Sequence, residues 1–462
     1  MKPITDSDDR RLVRLLERRG DPAPRYVAYP SPNLWRDKPP PGERIRRLRA
    51  VAESGEGLAL YVHVPFCPRL CHYCGCNVEV RSPVPKYGDL YLSGIRKELE
   101  GLRACSGGIP RAVSLHLGGG TPTFLSETQL TELMAILSES IEFVPNAELS
   151  VETNPETVTP SQLRTLWELG FSRISLGIQD FNRDTQWAIN RYHPYDRVRC
   201  VVDDCRHAGF ASVNFDLVYG LPHQTASRFA TTVERTISLA PNRVALYHFG
   251  YLPDKLPHQR LLDERALPSP LEKHKLFQGA TLAFASEGYP PIGMDHFAEP
   301  GDTLVRAFRE RRLVRSFMGY ESRSVRNVLG FGPGAISFLD GAYLRNVPSN
   351  TSWTGALNAG ASGQDLMRVQ TEEDQVRHAL INHLLCHLEI KDESLAEAFG
   401  SQALGIVSEL EAFVRDGILE RRNGRRRLTT LGRPFARAVA RTFDQYRLVP
   451  SDATRSPCSR VT

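Results

Sequence analysis

The chain has 462 residues, of which 41% are hydrophobic and 24% are charged, and its net charge is +5 at pH 7. This balance is typical of a soluble globular protein with a large core, and so small a charge over this length does not favour nucleic acid as a partner. The first residues lack an apolar signal-peptide core, and no run of about 18 apolar residues occurs, so we expect a cytoplasmic protein without a membrane partner.

The predicted elements begin with residues 1–55, which are rich in proline and arginine and predict an irregular N-terminal arm with a helix over the mouth of the next domain. From 56 to 345, short apolar runs alternate with helical patterns. These runs predict six strands, at 58–64, 112–117, 148–152, 173–178, 212–218 and 243–249. A capping box at Ser126 and a proline after Thr159 mark two helix starts. Six strand–helix units in series predict an α/β fold with a parallel sheet, closed into a partial or complete barrel, and a doubly wound sheet is the alternative.

Three further segments follow the barrel. Residues 346–364 are rich in serine, asparagine and glycine and predict a flexible linker. Residues 365–450 predict a small, mostly helical C-terminal lid domain with a winged-helix-like hairpin that turns at Asn423 and Gly424, and 451–462 form a tail. Five arginines flank that turn: Arg421, Arg422, Arg425, Arg426 and Arg427. A basic hairpin can contact nucleic-acid phosphates, but we favour a solvated hairpin in a lid domain.

A cluster of four cysteines follows the first predicted strand. Cys67, Cys71 and Cys74 have the spacing C-x3-C-x2-C, Tyr73 precedes the third of them, and Cys76 comes two residues later. This spacing is typical of the loop by which radical S-adenosylmethionine (SAM) enzymes hold a [4Fe-4S] cluster. A zinc knot more often pairs two CxxC units, and a disulfide framework belongs to short secreted chains. Three thiolates leave one iron open, which can bind the amino and carboxylate groups of SAM.

Other polar or glycine residues fall at the ends of the later predicted strands. A Gly-Gly-Gly-Thr run at 118–121 follows the second strand, and missing side chains there let the backbone approach a ligand. The third to sixth strands end at Glu152, at Gln179 and Asp180, at Asp216 and at Gly250. Each residue alone is as well explained by a cap or a turn. Because parallel strands end at one rim, together they predict a site for a ribose, an adenine edge or an amino group.

Several motifs together resemble the oxygen-independent coproporphyrinogen III oxidase (coproporphyrinogen III dehydrogenase) family of the radical SAM superfamily. They are YVHVPFC at 61–67, GGGTPT at 118–123, QDF at 179–181, DLVYGLP at 216–222 and GMDHFA at 293–298. The likeness extends from PRYVAYP at 24–30 to TFDQY at 442–446. It therefore covers nearly the whole chain.

The resemblance implies a partial (β/α)6 barrel with one [4Fe-4S] cluster bound by Cys67, Cys71 and Cys74, whereas Cys76 is not a ligand. It implies two bound SAM molecules side by side. Their implied contacts are Tyr61, Tyr73, Gly119, Gly120, Thr121, Glu152, Gln179, Arg191, Asp216, Gly250 and Ile336. In that reading Glu152 accepts hydrogen bonds from ribose hydroxyls and Arg191 clamps a carboxylate.

The activity that the resemblance implies is a step of haem biosynthesis in the absence of oxygen. A 5'-deoxyadenosyl radical takes a hydrogen atom from a substrate propionate, carbon dioxide leaves, and one more electron passes to an acceptor. Two such events convert coproporphyrinogen III into protoporphyrinogen IX. We expect a monomer that takes this porphyrinogen as substrate and receives electrons from a separate donor.

Two segments depart from the family pattern and bear on the substrate. Val27, Ala28 and Ser31 lie in the first, and Glu321 and Ser322 in the second. If the second segment lines the substrate pocket, the Glu321 carboxylate repels a propionate; otherwise it points to water. Two alternatives therefore stay open: a related radical SAM methyltransferase or cyclopropanase that acts on a natural product, and a haem chaperone. The motif of the chaperone relatives differs at the end of the cysteine cluster, where this chain has Cys76.

Overall fold

The computed structural model describes residues 6–20, 23–106, 109, 111–322 and 325–447, and the predicted tail at 451–462 lies outside them. Helices of the described chain are Asp6–Arg19, Glu43–Ser54, Pro85–Ser106, Glu127–Ser138, Pro160–Glu168, Arg183–Ala188, Tyr195–Ala208, Ala226–Ser238, Pro270–Ser286, Thr303–Arg309, Asn350–Asn358, Glu372–His387, Asp392–Phe399, Ala403–Arg415 and Ala436–Ala440. None of the helices in these ranges is both long and apolar enough to cross a bilayer.

The centre of the molecule is a row of six parallel strands in chain order. They are Leu58–Val64, Ala112–Gly119, Phe143–Thr153, Arg173–Gln179, Ser212–Tyr219 and Arg243–His248. Their apolar side chains on one face pack against the covering helices in a single large hydrophobic core. All six predicted strands are therefore confirmed, and so is the prediction of an α/β fold with a partial barrel.

Additional strands extend this row at both ends. Beyond the sixth strand lie His296–Ala298 and Pro291–Ile292, and beyond the first strand lie Asn327–Phe331, Ile336–Leu339, Ala342–Asn346 and Gln364–Val369. The strand Asn327–Phe331 runs parallel to the first barrel strand, and the three after it are antiparallel. The row of parallel strands thus stays open, and the added strands carry a segment of the chain to the edge of the site.

The helix starts follow from the predicted caps. The hydroxyl of Ser126 accepts from the N–H of Gln129, and the Gln129 side chain accepts in return from the N–H of Ser126. Thr159 and Gln162 form the same reciprocal pair, with a proline in the first turn. These capping boxes satisfy N–H groups that a helix leaves unpaired, and they fix the lengths of the loops that carry the site.

The predicted linker at 346–364 is wrong as a flexible loop. It contains the helix Asn350–Asn358, and Trp353 of this helix is fully buried. The indole lies on Gly94, where an added Cβ would come within 2.4 Å of the ring. Residues 364–369, expected to begin a helical region, instead form the outermost strand of the sheet. Tertiary burial of one tryptophan here outweighs a local composition typical of loops.

The C-terminal region is mostly helical. Its apolar side chains and those of the N-terminal arm form a second hydrophobic core, distinct from that of the barrel. A three-stranded sheet of Glu389–Lys391, Arg425–Leu428 and Leu419–Arg422 contains the predicted hairpin, and Asn423 and Gly424 both have positive φ angles. The buried carboxylate of Glu389 pairs with Arg425 and Arg427. Arg421 and Arg426 pair with Asp392 and Glu411. Much of the charge of this hairpin is thus neutralised within the domain.

The N-terminal arm divides into two parts. We expected a helix of the arm to lie over the barrel mouth. The helix Glu43–Ser54 instead packs beside the helix Pro85–Ser106 and the strand Ile336–Leu339. The irregular segment that contains Ala23, Arg25 and Val27 lines the cavities at the mouth instead. The arm therefore brings at least one cation to the open end of the barrel.

Candidate active site

The three cysteines of the predicted ligand set line one cavity of about 530 Å³ at the carboxyl ends of the parallel strands. The Sγ of Cys67 lies 3.4 Å from the Thr121 hydroxyl, and Nη1 of Arg191 lies 3.8 Å from the Sγ of Cys71. Cys74 Sγ accepts from the backbone N–H of Cys76 at 3.4 Å. Each thiol thus has a neighbour that can stabilise a negative sulfur.

The pKa values of these thiols differ because their surroundings differ. Burial raises the pKa of Cys67 to about 11 and also raises the pKa of Cys71. Hydrogen bonding from Cys76 lowers the pKa of Cys74 to about 7. Burial of two thiols near one another is unfavourable for their thiolates unless a cation or an iron group compensates, as metal binding does.

The surroundings of the thiols fit a group of several atoms. Within the described ranges, no three histidine, cysteine, aspartate or glutamate side chains are arranged to hold a single metal ion. The three thiols instead line part of a large cavity. Glycines line it as well, and the absence of side chains there lets the backbone segments approach one another closely. A Cβ on Gly120 would come within 2.6 Å of the carbonyl oxygen of Phe66, the residue before Cys67. Three soft thiolate donors beside an open cavity match the donor set of an iron–sulfur cluster with one iron left unligated by protein.

Nine of the eleven predicted SAM contacts line this same cavity: Tyr73, Gly119, Gly120, Thr121, Glu152, Gln179, Arg191, Asp216 and Gly250. Eight of them come from the cysteine loop and from five strands, at or near the carboxyl ends of these strands, and Arg191 lies in the loop after the helix Arg183–Ala188. Parallel strands bring their carboxyl ends to one rim, which is why residues so far apart in sequence meet here.

The carboxylate of Glu152 is held by two donors. Nε2 of His116 donates to one oxygen at 3.1 Å, and the N–H of Gly119 donates to the other at 3.3 Å. Burial alone raises the pKa of this carboxyl, but the His116 and Gly119 hydrogen bonds outweigh it, so the pKa of Glu152 is lowered. Glu152 is therefore an ionised acceptor, as ribose hydroxyls require.

The side chains of Asp216 and Arg191 are both held in place by hydrogen bonds to neighbouring groups. Burial and the charge of Glu152 raise the pKa of Asp216 to about 6, although Ser175 and Asn214 each donate to its carboxyl. Arg191 donates through Nε and Nη2 to the carbonyl oxygen of Gly177 at 3.0 and 2.7 Å. The backbone thus fixes this guanidinium, and Nη1 points toward the cysteine loop.

The other two predicted contacts, Tyr61 and Ile336, line an adjoining cavity of about 520 Å³. Gly119 and Glu152 line both cavities. The Tyr61 hydroxyl is 2.9 Å from Nδ1 of His63, whose Nε2 lies 2.8 Å from a backbone carbonyl. Since Nε2 must donate to that carbonyl, Nδ1 is the acceptor, and the Tyr61 hydroxyl is the donor.

Eight aromatic or histidine side chains that line these two cavities escaped prediction: His63, His116, Tyr219, Tyr247, His248, Phe249, Phe277 and Phe317. His63 lies two residues after Tyr61 on the same strand, and His116 is paired with Tyr61 on the next strand. Side chains two apart on a strand share a face, so alternation about Tyr61 was the signal that could have found His63. Both ring nitrogens of His248 are buried without a partner within the described chain.

The positions that depart from the family pattern take different places. Val27 lines the 520 Å³ cavity, whereas Ala28 is buried against Trp35. Glu321 lies in a cavity of about 140 Å³ inside the barrel, which Glu152 and Asp216 also line, and it accepts a hydrogen bond from Ser316. Burial raises the pKa of Glu321 to about 7. Glu321 is thus not among the residues that line the two larger cavities.

Comparisons with known proteins agree with this geometry. A model of the radical SAM superfamily matches residues 61–236, and a model of the HemN C-terminal domain matches residues 370–435. An oxygen-independent coproporphyrinogen III oxidase of Pseudomonas aeruginosa is 34% identical over 459 residues, which are 98% of each chain. One of Escherichia coli K12 is 34% identical over 443 residues, which cover 94% of this chain and 95% of that one.

A solved structure extends the likeness to three dimensions. It is that of coproporphyrinogen III oxidase (HemN) from Escherichia coli, described as a radical SAM enzyme. It is 31% identical, its TM-score is 0.85, and the match covers 92% of this chain and 98% of that one. The family resemblance predicted from the motifs is confirmed, and the chain belongs to the oxygen-independent coproporphyrinogen III oxidase family of radical SAM enzymes.

Proposed function

We propose that this chain converts coproporphyrinogen III into protoporphyrinogen IX by oxidative decarboxylation of two propionate side chains. The observation that carries this proposal is the single cavity that joins the C-x3-C-x2-C thiols to nine of the predicted SAM contacts, in a chain that matches its relatives over almost its full length. The reaction removes a hydrogen atom and a carboxylate from each propionate, and the remaining electron passes to an acceptor.

The cofactors we propose are one [4Fe-4S] cluster and two SAM molecules. Cys67, Cys71 and Cys74 would hold the cluster, which when reduced supplies the electron that cleaves SAM into methionine and a 5'-deoxyadenosyl radical. The two adjoining cavities of about 530 and 520 Å³ support two SAM molecules, since each has the volume of an ordinary ligand pocket and Glu152 lies between them.

The chain's own residues bind and orient these groups. Glu152, ionised and held by His116 and Gly119, accepts hydrogen bonds from ribose hydroxyls. Arg191 offers Nη1 and the second N–H of Nη2 to a carboxylate beside the cluster, because Nε and the other N–H of Nη2 bond to Gly177. The arm and the C-terminal region shield the mouth and keep water from a reactive radical. A protein or small-molecule electron donor must reach the cluster, and we propose that the chain works as a monomer.

The test is product formation without oxygen. The purified chain is reconstituted with iron and sulfide, and SAM, a reductant and coproporphyrinogen III are added. We expect protoporphyrinogen IX, detected by chromatography after oxidation. SAM cleavage without any change in the porphyrinogen would reject this function and favour the methyltransferase or cyclopropanase; tight haem binding without cleavage would favour the chaperone.

A matched pair of variants tests the ligand assignment. Cys71→Ser removes one predicted cluster ligand, so we expect loss of the cluster absorbance and of activity. Cys200→Ser changes an exposed cysteine far along the chain and should keep both. Full cluster assembly by the first variant would show that the three-ligand assignment is wrong.

A further inference from the structure

The largest of the cavities described here, about 820 Å³, lies outside the cysteine site and has a lining unlike that of the others. We call it the outer cavity. It lies between the hairpin formed by Val314–Ser316 and Gly319–Glu321, the helix Glu372–His387 and the arm residue Val27. Its volume is that of a pocket for a large organic ligand.

The outer cavity adjoins the 520 Å³ cavity next to it. Val27, Arg315, Ser316 and Phe317 line both. The ring of Phe317 stands edge-on to that of Tyr61, with 5.3 Å between ring centres. A ligand in the outer cavity therefore lies one aromatic side chain away from a predicted SAM contact.

The charge of the outer cavity comes entirely from arginines. Arg311, Arg312, Arg315 and Arg326 line it, and none of its described lining residues is acidic. Arg311 pairs with Glu389 and Arg312 with Glu310, both outside the lining. Arg315 and Arg326 form no ion pair with any residue in the described ranges, although the charge of Arg315 helps to lower the pKa of Asp295 in the adjoining cavity.

The donors of these two arginines remain largely available. Nη1 of Arg315 donates to the carbonyl oxygens of Arg25 and Tyr26, both at 3.0 Å, which leaves its other N–H groups free to donate. Burial, with a smaller effect from the charge of Arg326, lowers the pKa of His378 to about 4. The imidazole of His378 is therefore neutral at pH 7, so it adds a polar group to the lining of the cavity but no further positive charge.

Apolar and aromatic side chains form the rest of the wall: Leu313, Phe317, Val328, Phe338, Tyr343 and Val376. A ligand that fits must accordingly combine a large apolar ring with several anionic arms. Arginine presents a planar fork that binds a carboxylate through two parallel hydrogen bonds, so alkyl carboxylates are the arms that this lining favours.

We infer that the outer cavity binds a tetrapyrrole that carries several alkyl carboxylates, with Arg315 and Arg326 holding carboxylates that are not reacting. The identity of the ligand rests on the proposed function, but the chemistry of the cavity does not. Coproporphyrinogen III has four propionates, of which two do not react, so the cavity offers one unpaired arginine for each unreactive carboxylate.

The test uses Arg326, which is exposed to solvent and whose loss should not unfold the chain. Coproporphyrin III, which has four carboxylates, is titrated into the cluster-loaded wild type and the Arg326→Ala variant by fluorescence. We expect roughly tenfold weaker binding by the variant, the effect of one lost charge-assisted hydrogen bond. Arg326→Lys should recover part of the affinity, because it keeps the charge but not the planar fork.

A control and a second ligand make the result specific. Arg309→Ala removes an exposed arginine outside the cavity and should bind coproporphyrin III as the wild type does. Protoporphyrin IX keeps the two unreactive carboxylates, so its binding should weaken by a similar factor in Arg326→Ala. Equal affinities of wild type and Arg326→Ala for coproporphyrin III, or a weakening for coproporphyrin III alone, would overturn the inference.

Kinetics with coproporphyrinogen III separate this inference from the proposed function. In Arg326→Ala we expect the KM for the porphyrinogen to rise about tenfold and kcat to change far less, because Arg326 holds a carboxylate away from the reacting one. If the wild type is active and Arg326→Ala has the same KM, the inference about the outer cavity is wrong and the proposed function still holds. If the wild type binds coproporphyrin III through Arg326 but does not decarboxylate the porphyrinogen, the proposed function is wrong and the inferred tetrapyrrole site still holds.

Discussion

The carboxyl of Asp216 is held at a cost to the folded chain, and Asp216→Asn should reveal that cost. Ser175 Oγ donates to one oxygen at 2.8 Å and Nδ2 of Asn214 donates to the other at 2.9 Å. These bonds do not compensate for burial and for the nearby charge of Glu152, which together raise the pKa to about 6. An asparagine has nearly the same shape, has no charge to bury, and can still bond both neighbours.

The size of the effect follows from the pKa. An acid whose pKa is raised on folding contributes stability below its unfolded pKa and loses that contribution as the pH rises through the folded value. For Asp216 this window runs from about pH 4 to about pH 6. Above it the ionised carboxyl costs about 3 kcal/mol. An unfolding entropy of about 2.1 cal/mol/K per residue makes that about 3 °C in Tm for a chain of this length.

The assay is thermal unfolding of the cluster-free chain at pH 8 and pH 5, with SAM binding by the loaded enzyme measured in parallel. We expect Asp216→Asn to be more stable than the wild type at pH 8, with a gain about 1.4 kcal/mol smaller at pH 5, and to bind SAM more weakly. Asp203→Asn changes an exposed aspartate and should alter stability by less than about 0.5 kcal/mol. A variant that is less stable at pH 8, or a gain that does not depend on pH, would refute this reasoning.

Three further substitutions have expected outcomes. Glu98→Gln leaves the buried guanidinium of Arg44, 2.5 Å away, without its carboxylate, and should destabilise the chain by about 3–5 kcal/mol in urea unfolding. Gly120→Ala places a Cβ 2.6 Å from the carbonyl oxygen of Phe66, so iron and sulfide content after reconstitution should fall sharply; normal content would contradict the tight contact. Glu389→Gln breaks contacts to three arginines and should lower stability by about 1.5–3 kcal/mol, and an unchanged unfolding midpoint would show that those pairs contribute nothing.

Much of the cysteine site could be predicted because its parts are local. The members of each local motif, the three thiols and the glycines at 118–120, are close together in sequence, and Glu152 and Asp216 lie near the carboxyl ends of strands that apolar runs identify. The parallel arrangement then brings those ends to one rim. Periodicity and strand order were therefore enough to expect one shared site.

The adjoining cavities could not be predicted, because they depend on contacts between distant segments. The outer cavity is formed by residues near 27, 315, 326 and 378, and no local pattern indicates that these segments meet. Glu321 illustrates the same limit, since its hairpin places it in a small cavity inside the barrel, beside Glu152 and Asp216. The helix around Trp353 was missed because burial of one indole outweighs a serine- and glycine-rich sequence.

The most direct test of the central claim is transfer of a hydrogen atom from substrate to SAM. Coproporphyrinogen III is deuterated at the propionate carbon adjacent to the ring, and the reconstituted enzyme is supplied with SAM and reductant without oxygen. We predict that mass spectrometry will show 5'-deoxyadenosine with one deuterium, formed together with protoporphyrinogen IX. Decarboxylated porphyrinogen accompanied by unlabelled 5'-deoxyadenosine would contradict it.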